Sequence, residues 1–449
     1  MLKNRKVQAL GLLLAFTLIA AACGDDDEGG TTPTTAAATT TAATVAFPPA
    51  ATSDLGGVLI GAGEAVQMRT LQAISGPVEF LGTDQNRGTQ LALEDFGQIH
   101  GHDVDLGTFE DDLCNAEGGT AGAQAIVAQE GVLVTIGTTC SGAGVPASQI
   151  FSEAGEVLIS GSNTSPALTS DLQGHANAAW NPGYYRTAHN DLFQGALAAR
   201  FAFEVLGATT AAAIHDGDPY TEGLASAFSS SFQELGGTVP VFTAVNKGDT
   251  DMVPVLTEVA AGDPDVIYFP IFQPEGDFII QQIGGVAGLE DVTLFGADGL
   301  FVADFLALPE SEGMYFSGPD LQFTNAGFTG VSYSDLKARY EAEFGEAPLA
   351  AFHAHTYDAT MMALNAIDKV AVDGPNGELW VDRQALRDAL YATSGFPGVT
   401  GSLTCDEFGD CGAQAVAIFF HTDSSAADPL ADAAVLAKST KDGGFEVLN

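Results

Sequence analysis

The sequence predicts an α/β protein whose sheets are rich in parallel strands. Short apolar runs of strand length, such as VLVTIGT, EVLISGS, ATTAAAIHD, DVIYFPIF and VTLFGADG, are separated by longer runs of helical period, such as TAGAQAIVAQE, DLFQGALAARFAFEVLG and YTEGLASAFSSSFQELG. Strand, helix, strand succession produces parallel strands with helices on their faces. The 449 residues, 46% of them hydrophobic, are enough for two such units. Sites in this architecture lie at the carboxyl ends of strands.

The charge balance restricts the partners. There are 58 acidic and 15 basic residues, which gives a net charge of -43. This charge disfavours nucleic acid and a bare anionic lipid surface as partners, because both are negatively charged themselves. An acid-rich surface is typical of an exported protein in a saline medium.

The N-terminus predicts export. Three basic residues between positions 3 and 6 precede the apolar run VQALGLLLAFTLI, and AAAC ends at Cys23. This segment resembles a bacterial lipoprotein signal, although Ala20 stands where that pattern prefers Leu. The resemblance implies that residues 1–22 are removed and that Cys23 carries a lipid anchor in the membrane. Simple secretion with cleavage nearby is the alternative.

Residues 23–56 have the composition of a tether. The segment GDDDEGGTTPTTAAATTTAATVAFPPA is built from Asp, Gly, Thr, Ala and Pro and offers almost nothing to bury. Such a segment cannot offset the entropy of ordering, so the sequence predicts that it is disordered and extended. Folding is expected to begin near Gly57.

Four cysteines remain after Cys23: Cys114, Cys140, Cys405 and Cys411. An even number in an exported chain favours disulfides over metal ligation or free thiols. Three pairings are open. The local one joins the ends of CDEFGDC as a hairpin tip and leaves Cys114 to pair with Cys140, which makes a nucleophilic Cys140 unfavourable.

Two loops after predicted strands are rich in small polar residues, and each precedes a proline, Pro146 or Pro166, that is expected to open a helix. The candidate ligand-binding residues are Ser141 and Gly142 in the first loop and Ser162, Asn163 and Thr164 in the second. Hydroxyls, backbone N–H groups and helix N-termini together can bind a carboxylate without Lys or Arg. The alternative is that these hydroxyls only cap the helices.

Several segments together resemble the periplasmic binding proteins of the leucine/isoleucine/valine type: ISGPVEFLG, DDLCNAEGGTAGAQAIV, IGTTCSGAGVPASQIFSEAGEVLISGSNTSPALT, YYRTAHNDLFQGALAA, IHDGDPYTEGLA, IYFPIFQPEGDFIIQQ and LFGADGL. The resemblance covers nearly the whole chain after the tether. It implies two Rossmann-like lobes joined by three hinge crossovers, with a ligand held in the cleft, and a role in an ABC importer of branched-chain or related amino acids. The expected lobes are residues 57–186 with 319–395, and residues 187–318 with 396–449.

The resemblance also assigns the opposite wall of the cleft. It implies that Tyr220 closes over the ligand, that Phe272 replaces a family Tyr, and that Asp298 replaces a Glu that receives the ligand ammonium. It places Cys114 and Cys140 at a family disulfide. Phe272 lacks a hydroxyl and Asp298 is one methylene shorter, so a bulkier or differently seated ligand is expected. The alternatives are core packing for the two aromatic rings and a turn role for Asp298.

The remaining patterns define the rival hypotheses. His353 and His355 are two residues apart, which favours part of a helix over a metal site, and neither a metal nor a cofactor is expected. A binding protein rather than an enzyme is predicted, a monomer whose partner is an ABC transporter permease. The alternatives are a sensor of amides, urea or other small polar solutes, and an exported hydrolase that uses Ser141 or Cys140 as nucleophile.

Overall fold

The computed structural model describes residues 46–440 and 444–448. Its strands are β1 (Gly57–Ile60), β2 (Val66–Gln72), β3 (Val104–Asp105), β4 (Glu110–Asp111), β5 (Val132–Gly137), β6 (Val157–Ser160), β7 (Tyr184–Arg186), β8 (Thr210–His215), β9 (Thr238–Ala244), β10 (Val266–Tyr268), β11 (Thr293–Ala297), β12 (Tyr315–Pro319), β13 (Val372–Asp373), β14 (Leu379–Asp382), β15 (Phe396–Pro397), β16 (Ser402–Leu403), β17 (Val416–Phe420), β18 (Ala434–Ser439) and β19 (Phe445–Val447). Its α-helices are α1 (Glu79–Phe96), α2 (Ala116–Val127), α3 (Ser141–Ala154), α4 (Asp191–Arg200), α5 (Pro219–Glu234), α6 (Val253–Ala260), α7 (Glu275–Ile283), α8 (Ala303–Leu306), α9 (Tyr333–Phe344), α10 (His353–Val370), α11 (Arg383–Tyr391) and α12 (Pro429–Asp432). Short 3-10 helices cover Pro166–Leu168 and Pro309–Ser311, and a π-helical turn, Phe201–Val205, extends α4.

The first lobe is built on a parallel sheet with the strand order β3-β2-β5-β6-β7, and β4 also pairs with β2. Every residue of β5 and β6 is buried. Strands of a parallel sheet that is covered on both faces are continuous runs of Val, Ile and Leu. Such runs are easily recognised, so both strands could be predicted from the sequence. An antiparallel sheet, β1-β14-β13, joins the start of the lobe to its later segment.

The second lobe is built on a mixed sheet with the order β19-β18-β17-β12-β11-β10-β8-β9. Strands β8 to β12 run parallel, whereas β17, β18 and β19 are antiparallel. Aromatic side chains fill its core, where the rings of Phe228 and Tyr268 stack at 4.4 Å and Phe295 meets Tyr268 edge-on at 5.4 Å. The two parallel-rich lobes confirm the predicted fold class.

Three crossovers connect the lobes, after β7, after β12 and before β17. Phe396, Val399, Leu403 and Cys411 belong to the hydrophobic core of the first lobe, whereas Val416 lies in the core of the second. The expected boundary at residue 396 is therefore earlier in the chain than the point where the core changes. A short hairpin, β15-β16, lies between these two points. Its sequence shows no change from a helical to a strand pattern, so the sequence did not indicate where the lobe boundary falls.

Residues 46–56, which the sequence assigned to the tether, pack on the first lobe. The Thr52 N–H and hydroxyl donate to the two carboxylate oxygens of Asp382 at 2.6 and 2.8 Å, and the Arg383 N–H donates to the Gly56 carbonyl at 3.1 Å. Polar contacts of this kind order a segment that has little to bury. The predicted signal peptide, Cys23 and the rest of the tether lie outside the described residues.

Helix α3 begins at Ser141 and not at Pro146, which lies inside it. Proline lacks an N–H, so it removes one hydrogen bond in the second turn, but the helix continues beyond it. Pro166 opens a 3-10 helix of only three residues. His353 and His355 lie in the first turn of α10, as predicted.

Both predicted disulfides are present. Cys114 is bonded to Cys140, and Cys405 is bonded to Cys411. The first bridge fixes the loop after β4 beside the start of α3. The second closes the turn CDEFGDC, in which the Asp406 N–H donates to the Asp410 carbonyl at 3.0 Å. Within the described ranges, no helix is long and apolar enough to cross a membrane.

Candidate ligand-binding site

A small cavity lies between the lobes, beyond the carboxyl ends of the parallel strands. Its volume is about 20 Å³, room for little more than one water molecule. The residues that line it are Leu81, Gln85, Thr139, Cys140, Ser141, Ser162, Tyr220, Phe272, Asp298, Gly299 and Phe352. Five of the predicted ligand-binding residues are among them, namely Ser141, Ser162, Tyr220, Phe272 and Asp298. The structure therefore brings together residues that are up to 157 positions apart in the sequence.

The first polar loop supplies the start of α3. Ser141 is the first residue of that helix, and the preceding Cys140 makes no side-chain cap. The first backbone N–H groups of a helix have no intrahelical acceptor, so those of Ser141 and Gly142 are suited to an anion. A side chain at Gly142 would collide with the carboxylate of Asp218 on the opposite lobe. Gly142 is thus required for the close approach of α5 to α3.

In the second polar loop, Ser162 lines the cavity, whereas the side chain of Asn163 bonds to the backbone of its own lobe. Ser162 lines the cavity, and its hydroxyl donates to the Thr139 carbonyl at 2.7 Å. Asn163 is fully buried, and its amide nitrogen donates to the carbonyls of Thr138 and Thr139 at 2.9 and 3.1 Å. Its amide oxygen accepts from the hydroxyls of Thr138 and Tyr184. The donors and the acceptor of the Asn163 side chain are thus committed inside the first lobe, and its predicted role in ligand binding stays a prediction.

Thr164 lies next to a buried acid. Its carbonyl accepts from the Asp191 N–H at 3.0 Å. Asp191, at the start of α4, is fully buried, and the Thr164 hydroxyl is the side-chain donor beside its carboxyl group. Burial raises the pKa of Asp191 well above its usual range, the neighbouring Asp298 raises it further, and the hydrogen bond from Thr164 acts in the opposite direction.

Two aromatic rings form the apolar wall on the second lobe. The ring of Tyr220, in the first turn of α5, lies 5.2 Å from that of Phe272. The Tyr220 hydroxyl accepts from the Gly299 N–H at 3.1 Å, which fixes the ring over the turn after β11. Gly299 leaves little room there, since a side chain would meet the Ile271 carbonyl at 2.8 Å. Both rings are buried, so the same two residues pack in the core of the second lobe and line the cavity.

Asp298 is the acidic group of the cavity. It follows β11 directly and is only 6% exposed. Its Oδ1 accepts a hydrogen bond from Gln194 Nε2 at 2.6 Å. Burial raises the pKa of Asp298 to about 6, although hydrogen bonds from Gln194 and Tyr220 act in the opposite direction. Among the described residues, no Lys or Arg side chain forms an ion pair with Asp298, so burial disfavours its charged form without a compensating positive charge.

A lysine crosses the mouth of the cleft. Lys247 Nζ on the second lobe lies 3.4 Å from Asp218 Oδ2 and 3.4 Å from the Cys114 carbonyl on the first. It also lies 5.7 Å from the centre of the Phe272 ring. Burial raises the pKa of Asp218, and the charge of Lys247 opposes that rise. These contacts link the two lobes in the closed arrangement.

A buried ion pair holds the second polar loop to the hinge. Arg186 ends β7, is completely buried and binds both carboxylate oxygens of Asp410, at 3.0 and 2.7 Å. Its remaining donors reach the carbonyls of Asn163 and Ser165 and the hydroxyl of Thr169. All five N–H groups of the guanidinium are thereby used. Arg186 orients the loop but offers no donor to a ligand.

Sequence reasoning missed several residues of the site, of which Gln194 and Asp191 carry the most chemistry. They lie three positions apart in DLFQG, so they share one face of α4 with small apolar residues. Two polar side chains on an otherwise apolar helical face were the available signal. Lys247 and Phe352 reach the site from distant parts of the chain and gave no such signal.

The hydrolase hypothesis loses one of its two nucleophiles, because Cys140 is bonded to Cys114. The hydroxyl of Ser141 accepts from the Ser165 N–H at 3.3 Å. Among the described residues, no group of three or more His, Cys, Asp or Glu side chains has the geometry to hold a metal ion.

Comparison with known proteins identifies the family. A family model described as periplasmic binding protein matches residues 69–420. The leucine-, isoleucine-, valine-, threonine- and alanine-binding protein of Pseudomonas aeruginosa is 28% identical over 357 residues, which is 78% of this chain and 88% of that protein. The crystal structure of a leucine-binding protein, LivK, from Thermotoga maritima has a TM-score of 0.70 and 24% identity and covers 84% of this chain and 99% of that chain.

A second solved structure agrees with the first in fold. The branched-chain amino acid substrate-binding protein LivJ of Streptococcus pneumoniae, in complex with isoleucine, has a TM-score of 0.66 and 23% identity and covers 83% of this chain and 99% of that chain. Both structures have the type I periplasmic binding fold that the sequence predicted. The family match covers well over half of the chain, and the cavity lies between two lobes at the carboxyl ends of their strands. This chain therefore belongs to the periplasmic binding protein family.

Proposed function

We propose that this protein captures a branched-chain or related amino acid between its two lobes and delivers it to the permease of an ABC importer. The observation that carries the proposal is the pair of opposed groups across the cavity. Ser141, at the start of α3, lies on one lobe, and the carboxyl group of Asp298 lies on the other. An amino acid is a zwitterion, so it needs an anion site and a cation site on opposite sides. The Pseudomonas relative is named for binding five amino acids, which supports this class of ligand.

In this proposal, the first lobe holds the carboxylate. Ser141 and Thr164 contribute hydroxyls, while the N–H groups of Ser141 and Gly142 add backbone donors. The position of Ser141 on the wall of the cavity, at the first turn of α3, supports this role. Ser162 contributes to the wall of the cavity.

The second lobe holds the ammonium and the side chain of the ligand. Asp298 supplies the negative charge, and the rings of Tyr220 and Phe272, together with Leu81 and Phe352, supply the apolar wall. The cavity of about 20 Å³ is smaller than any of these amino acids, so the lobes must separate to admit the ligand and close on it afterwards. The three crossovers are the natural hinges for that motion.

Export, the lipid anchor on Cys23, the monomeric state and the permease partner belong to the same proposal. The membership in a periplasmic family supports export. The sequence resemblance to a lipoprotein signal supports the anchor. A sensor of amides, urea or other small polar solutes would use the same cleft but would not need Asp298 to bind an ammonium.

Titration calorimetry with a panel of amino acids, their amides and their keto acids tests the proposal. We expect a branched-chain or related amino acid to bind and its keto acid to bind far more weakly. Ser141→Ala is expected to weaken binding less than Asp298→Asn, since backbone donors remain beside Ser141. Asp304→Asn, an exposed change on the second lobe, is the matched control. If no amino acid binds and an amide or urea does, the amino acid assignment is refuted.

A further inference from the structure

The carboxyl group of Asp298 is held by a chain of two buried side chains that reaches the hinge. Gln194 Nε2 donates to Asp298 Oδ1 at 2.6 Å and lies 3.0 Å from the Ser317 carbonyl. An amide nitrogen has two hydrogens, so these two acceptors use both of them. Gln194 is fully buried on α4, the helix that follows the first crossover.

The orientation of the Gln194 amide is set from its other side. Its Oε1 forms a short hydrogen bond with His189 Nε2. A carbonyl oxygen only accepts, so His189 must carry its proton on Nε2. With the opposite amide orientation, the Gln194 oxygen would face two acceptors, Asp298 and the Ser317 carbonyl. His189 thus fixes the direction in which Gln194 donates.

His189 connects this chain to the wall of the cavity and to the hinge. It lies in the first crossover, between β7 and α4, and is fully buried. Its ring stacks on Phe352, which lines the cavity, at 6.2 Å between ring centres. Its Nδ1 has no partner, and burial lowers the pKa of His189 to about 4, so the ring is neutral near pH 7. A neutral ring with its proton on Nε2 is the form that Gln194 requires.

We propose that Gln194 and His189 are positioning residues for the ligand ammonium, acting through Asp298. Gln194 donates to Oδ1 and so orients the Asp298 carboxylate toward the ammonium, while His189 holds Gln194 in the donating orientation. This inference rests on the proposed function. It assigns specificity for amino acids to Gln194 on α4 and His189 in the first crossover, neither of which lines the cavity.

A double-mutant cycle tests the proposal. The tightest-binding of leucine, isoleucine, valine, threonine and alanine is titrated into the full chain and into Gln194→Leu, Asp298→Asn and the double variant. We expect Gln194→Leu to weaken binding about tenfold or more and to have less than about a twofold effect when Asp298 is already Asn. Gln281→Leu, an exposed change on the same lobe, is expected to leave affinity unchanged.

A second variant separates positioning from general structure. His189→Phe keeps a ring against Phe352 but removes the Nε2 proton, and the same dependence on Asp298 is expected. Circular dichroism and thermal melting of each unliganded variant establish that it is folded. If the losses from Gln194→Leu or His189→Phe simply multiply with that from Asp298→Asn, the positioning role is refuted while the proposed function stands. If the parent protein binds none of the five amino acids, the proposed function and this inference fail together.

Discussion

Replacing Asp298 with Asn should stabilise the unliganded protein at neutral pH while it weakens ligand binding. Burial raises the pKa of Asp298 from 3.8 to about 6. A carboxyl group with a raised pKa in the folded state costs stability once it must ionise. At 1.36 kcal/mol for each tenfold change in the ionisation constant, this difference corresponds to about 3 kcal/mol at pH 7. Asn keeps the shape and can still accept the hydrogen bond from Gln194.

The stability difference between Asp298→Asn and the parent depends on pH, and the direction of that dependence can be derived from the pKa of Asp298. Below about pH 3 the carboxyl group is mostly protonated in both the folded and the unfolded chain, so the variant and the parent should be equally stable. Between about pH 4 and pH 6 the unfolded chain loses the proton first, and the parent loses stability relative to the variant. Above about pH 7 the difference is constant. The stabilisation by Asp298→Asn should therefore grow from zero to about 3 kcal/mol over this window.

Urea denaturation of the unliganded parent and variant at several pH values between 4 and 7.5 measures this difference. Asp304→Asn, at an exposed position of the same lobe, should show no such growth. A stability difference that does not change with pH, or a variant that is less stable than the parent at pH 7, would refute the argument that burial of this carboxyl group is costly.

Three further predictions concern the scaffold of the site. Arg186→Met should lower the free energy of unfolding, measured by urea denaturation, by about 3 to 5 kcal/mol, because it leaves Asp410 buried without its charge partner. A decrease of less than about 1 kcal/mol would contradict this. Replacing both Cys114 and Cys140 with Ser should cost about 3 to 4 kcal/mol in the same measurement, since their loop of 26 residues is freed in the unfolded chain; an unchanged unfolding midpoint would count against it. Asp191→Asn should raise the melting temperature of the unliganded protein at pH 7, because it removes a buried acid whose charged form is disfavoured by burial and by the neighbouring Asp298, and a lower melting temperature would show that the charge is needed.

The sequence predicted the parts of the fold that depend on local patterns. The buried strands β5 and β6 are continuous apolar runs, so each is visible without knowledge of its neighbours. The exported character of the chain limited the cysteine pairings to disulfides, and both bridges formed as expected. Ser141 was found because its loop follows a predicted strand, and the carboxyl ends of parallel strands are where sites lie. Asp298 was assigned by the family resemblance.

Features that depend on contacts across the fold were not accessible. Residues 46–56 look like a tether, and only the position of Asp382 shows why the segment is ordered. Asn163 has the composition of a ligand residue, but four buried groups of its own lobe occupy its amide. Gln194 is a polar residue on an apolar face of α4, but its partner Asp298 lies 104 positions later in the chain. In each case the decisive fact is which side chain lies opposite, and a single sequence does not contain it.

The charges of the cleft indicate why this protein has not exchanged the costly acids for neutral residues. Asp191, Asp218 and Asp298 are all buried where the lobes meet, and burial raises the pKa of each. Lys247 compensates only Asp218 among the three. Under the proposed function, a ligand ammonium enters and leaves the cleft, so it would recover at Asp298 the free energy that burial of this carboxyl group costs. That gain would exist only with the ligand bound and the lobes closed. The desolvation that lowers the stability of the protein would therefore make closure depend on the ligand. A permanent Lys or Arg partner for Asp298 would remove the free-energy cost of burying its charge. It would also remove the free-energy difference by which a bound ligand favours closure of the lobes.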